Sequence, residues 1–169
     1  MDKLTDGQMA GLTTQLQEFM ILYEAIVACK GGLQPTFLGQ YRQAPKKSIH
    51  IQTFPFLIAQ NPEERKLLES GEFMGRAYEL GIQASVKGII TPAEVEFEKT
   101  YIPETDELGG GESHPIFYKG FRRNEGVYEG TWSFEDNGGD MQTRGKFLLN
   151  RINDFEKFKG ELEKLCAED

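Results

Sequence analysis

The sequence predicts an α+β fold, in which an antiparallel meander of six to seven strands curls into a barrel carrying a long N-terminal helix, a short helix near 62–70 and a C-terminal helix. Three observations carry this prediction. Apolar residues recur at helical spacing near both ends of the chain. From residue 72 onward the period changes to two, and turn residues arrive about every ten positions. Strands so numerous and uniform favour closure, because a barrel leaves no unpaired edge.

Taken in order, residues 5–30 place Met9, Leu12, Leu16, Phe19, Met20, Tyr23, Ile26 and Val27 on an amphipathic helix. Thr5 or Asp6 is available as its cap, and Gly31-Gly32 stops it. The irregular "LQPTFLGQYRQAPKK" follows, then "SIHIQTF", whose alternation is a strand signal that Pro55 limits. In "NPEERKLLESG", Asn61 caps, Pro62 suits the first helical position, Glu63 and Glu64 favour the positive helix end, and Gly71 closes the turn. Strands are expected near 73–79, 82–90, 95–102, 115–122, 127–134 and 145–151, joined as sequential hairpins. "NDFEKFKGELEKLCAED" then aligns Phe155, Phe158, Leu162 and Leu165 on one helical face over 153–167.

A chain of 169 residues is most economically a single domain over 1–169, with its sheet spanning 45–151. The net charge of -8 excludes a phosphate-backbone binder, which needs a positive field, so nucleic acid is not an expected partner. An acidic decoy for a basic groove would carry the same charge, and so would an ordinary soluble surface. Only Cys29 and Cys166 are present, which is no secreted disulfide framework, and the expected compartment is the cytoplasm. No apolar run approaches the roughly 20 residues that span a bilayer.

The pieces "GIQASVKG", "VEFEKTYI", "IFYKGF", "YEGTW" and "GKFLLNR" together resemble the calycin-type barrels, the lipocalin and fatty-acid-binding-protein architecture, over residues 75–151. Phe97, Lys99 and Tyr101 match one segment of that pattern, Tyr118 and Gly120 its Y-x-G, Gly130 and Trp132 its G-x-W, and Gly145 and Phe147 its last G-x-F. Lipocalins proper place G-x-W on the first strand, whereas here it falls on a late one. The resemblance therefore implies a barrel architecture and brings no ligand with it.

Alternation along "VEFEKTYI" sends Val95, Phe97, Lys99 and Tyr101 one way and Glu96, Glu98 and Thr100 the other. If the aromatic face is the interior, Lys99 must find an anion or a carboxylate, or reach out at the rim. Tyr128, Gly130, Trp132 and Phe134 share the next aromatic face, where Trp132 reads first as a core residue. Glu94, Glu96 and Glu98 form an ordinary exposed row. His50 and His114 stand apart without zinc spacing, and "DNGGD" reads as hairpin chemistry, so no metal or cofactor is expected. No nucleophile elbow, phosphate loop or dinucleotide fingerprint occurs.

The leading expectation is a non-catalytic binder of a small apolar or anionic molecule, with Phe97, Lys99, Tyr101, Tyr118 and Trp132 lining its cavity. The alternative is a protein-interaction or inhibitory module, a solid barrel that assembles with another copy or a different protein through Leu12, Leu16 and Phe19. A third class, barrel-mouth chemistry by Tyr, Glu and Lys side chains, has no local motif behind it.

Overall fold

The computed structural model describes residues 24–43, 53–79, 81–102, 115–134, 144–153 and 160. Eight strands form a closed antiparallel barrel in strict sequence order: β1 (Gln34–Gln43), β2 (Thr53–Gln60), β3 (Glu72–Glu79), β4 (Ile82–Ile90), β5 (Glu94–Tyr101), β6 (Ile116–Asn124), β7 (Val127–Ser133) and β8 (Arg144–Arg151). β8 returns to β1, with Tyr41 opposite Phe147 and Gly39 opposite Leu149, so every strand has two neighbours. Closure satisfies the ladder without an edge. The meander and the barrel are as expected, but the strand count is eight and not six to seven.

The difference lies at the start of the sheet. "LQPTFLGQYRQ" is β1, although Pro35 and Gly39 read as punctuation; Pro35 sits at a bulge where the β1–β2 register shifts before Phe37. Pro55 does not end the second strand but lies inside it, opposite Gln40. Among the described residues β2 pairs with β3 from Leu57 to Ala59, and Pro55 stands outside that paired stretch.

Two helical pieces accompany the barrel. Residues 24–30, here α1, lie against the outer face through Ala25 and Ala28, which pack with Leu57, Ala59 and Tyr78 of β2 and β3. The Glu24 carboxylate accepts a hydrogen bond of 3.1 Å from the Gly81 amide of the β3–β4 hairpin. This end of the helix thus covers the shortest seam in the barrel, and Ile26 of the apolar stripe faces solvent. α2 (Pro62–Leu67) starts with a reciprocal capping box between Asn61 and Glu64 and runs into a 3₁₀ turn, Leu68–Ser70. Gly71 ends it in the left-handed conformation, φ 87°, that glycine adopts without strain. The rest of the expected N-terminal helix with Leu12, Leu16 and Phe19, the expected C-terminal helix apart from residue 160, both histidines, the "EDNGGD" segment and most of the strand expected over "SIHIQTF" lie outside the described residues.

The interior is packed by rings set over glycines. Phe73 pairs with Gly88, Phe97 with Gly88 on the other side, Phe56 with Gly39 and Phe147 with Gly130. Phe97 and Tyr118 stack at 4.6 Å with an interplanar angle of 4°, while Phe147 stands edge-on to Tyr118 at 5.1 Å. Fully burying each such ring contributes roughly 1.5–3 kcal/mol, and the offset and edge geometries add to it.

Candidate functional site

One end of this apolar interior is polar. The upper end, where β1, β3, β5 and β7 finish and the even strands begin, gathers Tyr41, Glu79, Lys99 and Tyr101 from inward-facing positions. β5 alternates as its sequence indicates, so Val95, Phe97 and Lys99 are buried while Glu96 and Glu98 are exposed. Lys99 is 0% exposed, and its ammonium donates a hydrogen bond to Oε1 of Glu79, the last residue of β3. The other Glu79 oxygen, Oε2, accepts from the Tyr101 hydroxyl at 2.5 Å. The carboxylate the lysine requires is therefore supplied by the chain itself.

Aromatic faces complete the box around the charge. Lys99 Nζ lies 4.5 Å from the Tyr41 ring centroid, 5.0 Å from Phe56, 5.1 Å from Tyr101 and 5.2 Å from Tyr118. Ring quadrupoles attract a desolvated cation by about 2 kcal/mol or more where water is excluded. Tyr118 is buried as deeply as the lysine, yet its hydroxyl has no hydrogen-bond partner. An unpaired buried hydroxyl costs about 1–3 kcal/mol, so its position calls for an explanation.

Of the five residues expected to line a cavity, the fold brings Lys99, Tyr101 and Tyr118 into this cluster. Phe97 lies beneath, stacked on Tyr118. Trp132 faces inward opposite Tyr118 and meets Tyr41 edge-on at 6.0 Å, while its indole N–H donates to the Arg42 carbonyl at 2.9 Å. Glu79, Tyr41 and Phe56 were missed. The signal for Glu79 was present, since 73, 75, 77 and 79 alternate on the inward face and end in a carboxylate just before the Gly81 turn. Tyr41 and Phe56 sit on the two strands whose prolines concealed them.

The electrostatics follow from burial. Burial pushes the Lys99 ammonium below its ordinary value, against the Glu79 carboxylate, whose charge and hydrogen bond pull it back up. Burial also pushes the Tyr41 hydroxyl up to about 12, with the Glu79 charge adding to the effect. The same two causes raise Tyr101 and Tyr118 well above the usual phenol range. Above the ordinary phenol value of 10.0, the unfolded chain releases protons that these folded tyrosines retain, so stability falls as pH rises. Lys99 acts oppositely, since its folded form gives up its proton first, but that gain is complete once pH passes its ordinary 10.5. Alkaline titration should therefore show tyrosinate absorbance from this cluster appearing together with a cooperative loss of circular dichroism. Smooth ionisation of all tyrosines near pH 10 with the fold intact would contradict the burial argument.

Among the described residues no group of three or more His, Cys, Asp or Glu side chains is placed to hold a metal ion, and no helix is long and apolar enough to cross a membrane. Comparison with protein-family models, with curated proteins and with solved structures finds no match to the chain.

Proposed function

We propose that the protein is a small-molecule binder of lipocalin-like architecture, whose site is the upper end of the barrel. An eight-stranded up-and-down barrel is consistent with that architecture. The observation that carries the reading is the Tyr118 hydroxyl, buried and unpaired beside a lysine already neutralised by Glu79. A donor kept dry and unused inside an aromatic box is matched to an incoming acceptor. Because Glu79 balances Lys99, a full anion would meet a carboxylate, and the favoured ligand is an apolar molecule with a neutral acceptor such as a carbonyl. Tyr118 would donate to that acceptor, and Phe97, Tyr101 and Trp132 would contact the apolar body.

Tyr118→Phe separates ligand binding from structure. Removing an unsatisfied hydroxyl should stabilise the free protein by about 1 kcal/mol. The same change should weaken binding of Nile red, a neutral apolar carbonyl dye, by roughly fivefold, a loss equivalent to one neutral hydrogen bond. Dye emission excited by energy transfer from Trp132 gives the affinity, and a urea titration gives the stability. A stabilised variant with unchanged dye affinity would sink the reading, as would failure of the unaltered protein to bind Nile red saturably.

A further inference from the structure

The opposite end of the barrel holds a concavity of about 590 Å³, ringed by the β2–β3, β4–β5 and β6–β7 connections. Its volume falls in the range of roughly 300–1,000 Å³ usual for small-molecule sites. Leu68, Ile90 and Tyr128 give it an apolar floor. Tyr128 crosses the end, since its hydroxyl donates to the Thr91 carbonyl at 2.7 Å and so links β7 to the β4–β5 turn. Beyond it the ring-filled interior begins.

The chemistry of this vestibule comes from two arginines. Alternation along β6 places Arg122 in line with Tyr118 and Gly120, and alternation along β8 places Arg151 in line with Phe147 and Leu149. Both therefore stand at inward-facing positions just where the strands leave the core, on either side of Tyr128, whose hydroxyl feels both charges. Their backbones are pinned, because the Arg122 amide donates to the Ala93 carbonyl at 2.8 Å and the Arg151 amide to the Gly126 carbonyl at 2.7 Å. Among the described residues the ion pairs are Lys99 with Glu79 and Arg123 with Glu129, so neither Arg122 nor Arg151 has a carboxylate partner there. Two guanidinium groups at one mouth offer the planar, paired donors that fit a carboxylate.

We infer that this vestibule is a second binding site, for an organic monocarboxylate whose apolar body rests on Leu68, Ile90 and Tyr128 while Arg122 and Arg151 hold its carboxylate. Glu69 and Glu125 on the same rim fix the ligand class further. They set two negative charges against two arginines that are not paired with them, so a single carboxylate can still meet a guanidinium while repulsion grows with each further charge on the ligand. Neither the geometry nor the ligand depends on the upper-end cluster.

Benzoate is a suitable probe, followed by amide chemical shifts in the full chain. Saturable shifts are expected at Arg122, Gly126, Tyr128 and Arg151, with inorganic phosphate at the same concentration failing to displace benzoate. The Arg122→Gln/Arg151→Gln pair removes both charges from exposed side chains and should leave the thermal melt unchanged while weakening benzoate roughly tenfold or more. Tyr118→Phe should leave the benzoate shifts as they are, which keeps the outcome independent of the upper-end site. The inference is overturned if no saturable shifts appear, if they survive loss of both arginines, or if phosphate competes on equal terms.

Discussion

Glu79→Ala is expected to lower the unfolding free energy by roughly 3–5 kcal/mol, because it leaves the Lys99 ammonium uncompensated inside the barrel. For a domain whose whole stability is on the order of 5–15 kcal/mol, that is a large share. Lys99→Met should be milder, since Glu79 lies at the edge of the cluster with its side chain 10% exposed and keeps the Tyr101 hydroxyl as a donor. The double change Glu79→Leu/Lys99→Met should recover most of the loss, because well-packed apolar replacements of a buried pair are often neutral or better. The pH dependence gives an independent sign. Without the carboxylate that holds it charged, Lys99 is driven further toward the neutral form by burial, so the Glu79→Ala penalty should shrink as pH rises toward the lysine's ordinary 10.5. Urea titrations of the three variants at neutral and alkaline pH supply these quantities. A Glu79→Ala protein within about 1 kcal/mol of the parent at neutral pH would show the pair to be far better hydrated than its burial implies.

The stability cost of this pair also bears on the functional reading. A buried ion pair gives little net stability over an apolar packing of the same volume, and an unpaired phenol gives less than none. Both occur in the layer at the upper end, where the Tyr41, Phe56, Tyr101 and Tyr118 rings surround the Lys99 ammonium. Folds break local rules of polar satisfaction mainly at functional or strained sites, and the unpaired Tyr118 hydroxyl breaks one here.

Much of the sheet was legible because β3 to β8 each follow the period of two, with turn glycines between them. Lys99 could be placed inside from β5 alone, since Val95, Phe97 and Tyr101 share its face. Its partner could not be named. Glu79 is 20 residues away in sequence, and only the β3–β4–β5 register brings it beside Lys99. β1 was hidden and β2 was cut short because a local reading treats Pro35, Gly39 and Pro55 as breaks. In the closed barrel the same residues serve a bulge, a ring contact and a stretch outside the described β2–β3 pairing. The vestibule was hidden for a similar reason, as nothing along the chain places Arg122 near Arg151 until closure brings β6, β7 and β8 to one mouth.

Gly130→Ala and Gly88→Ala should each cost about 3 kcal/mol or more, at the upper end of what overpacking a core produces. A Cβ at Gly130 would fall 2.0 Å from the Lys119 carbonyl oxygen and 2.4 Å from the Gly120 Cα. A Cβ at Gly88 would fall 2.0 Å from the Glu96 carbonyl oxygen. These neighbours are backbone, so the strands themselves must part, and no rotamer change relieves the clash. Gly39→Ala tests the other half of the argument. There the obstacle is the Phe56 ring, 2.1 Å away at its tip, and Phe56→Leu should restore part of the stability that Gly39→Ala removes. Gly32→Ala is the contrasting control: its φ of 81° is strained for alanine, but nothing lies within 4 Å, and its cost should stay near the 1–2 kcal/mol of a left-handed residue. Urea midpoints should therefore fall most for Gly130→Ala and Gly88→Ala and least for Gly32→Ala. If Gly130→Ala unfolds at the parent midpoint, the close β6–β7 approach is not what packs Phe147 over that strand, and the dry floor beneath the Lys99 cluster loses its basis.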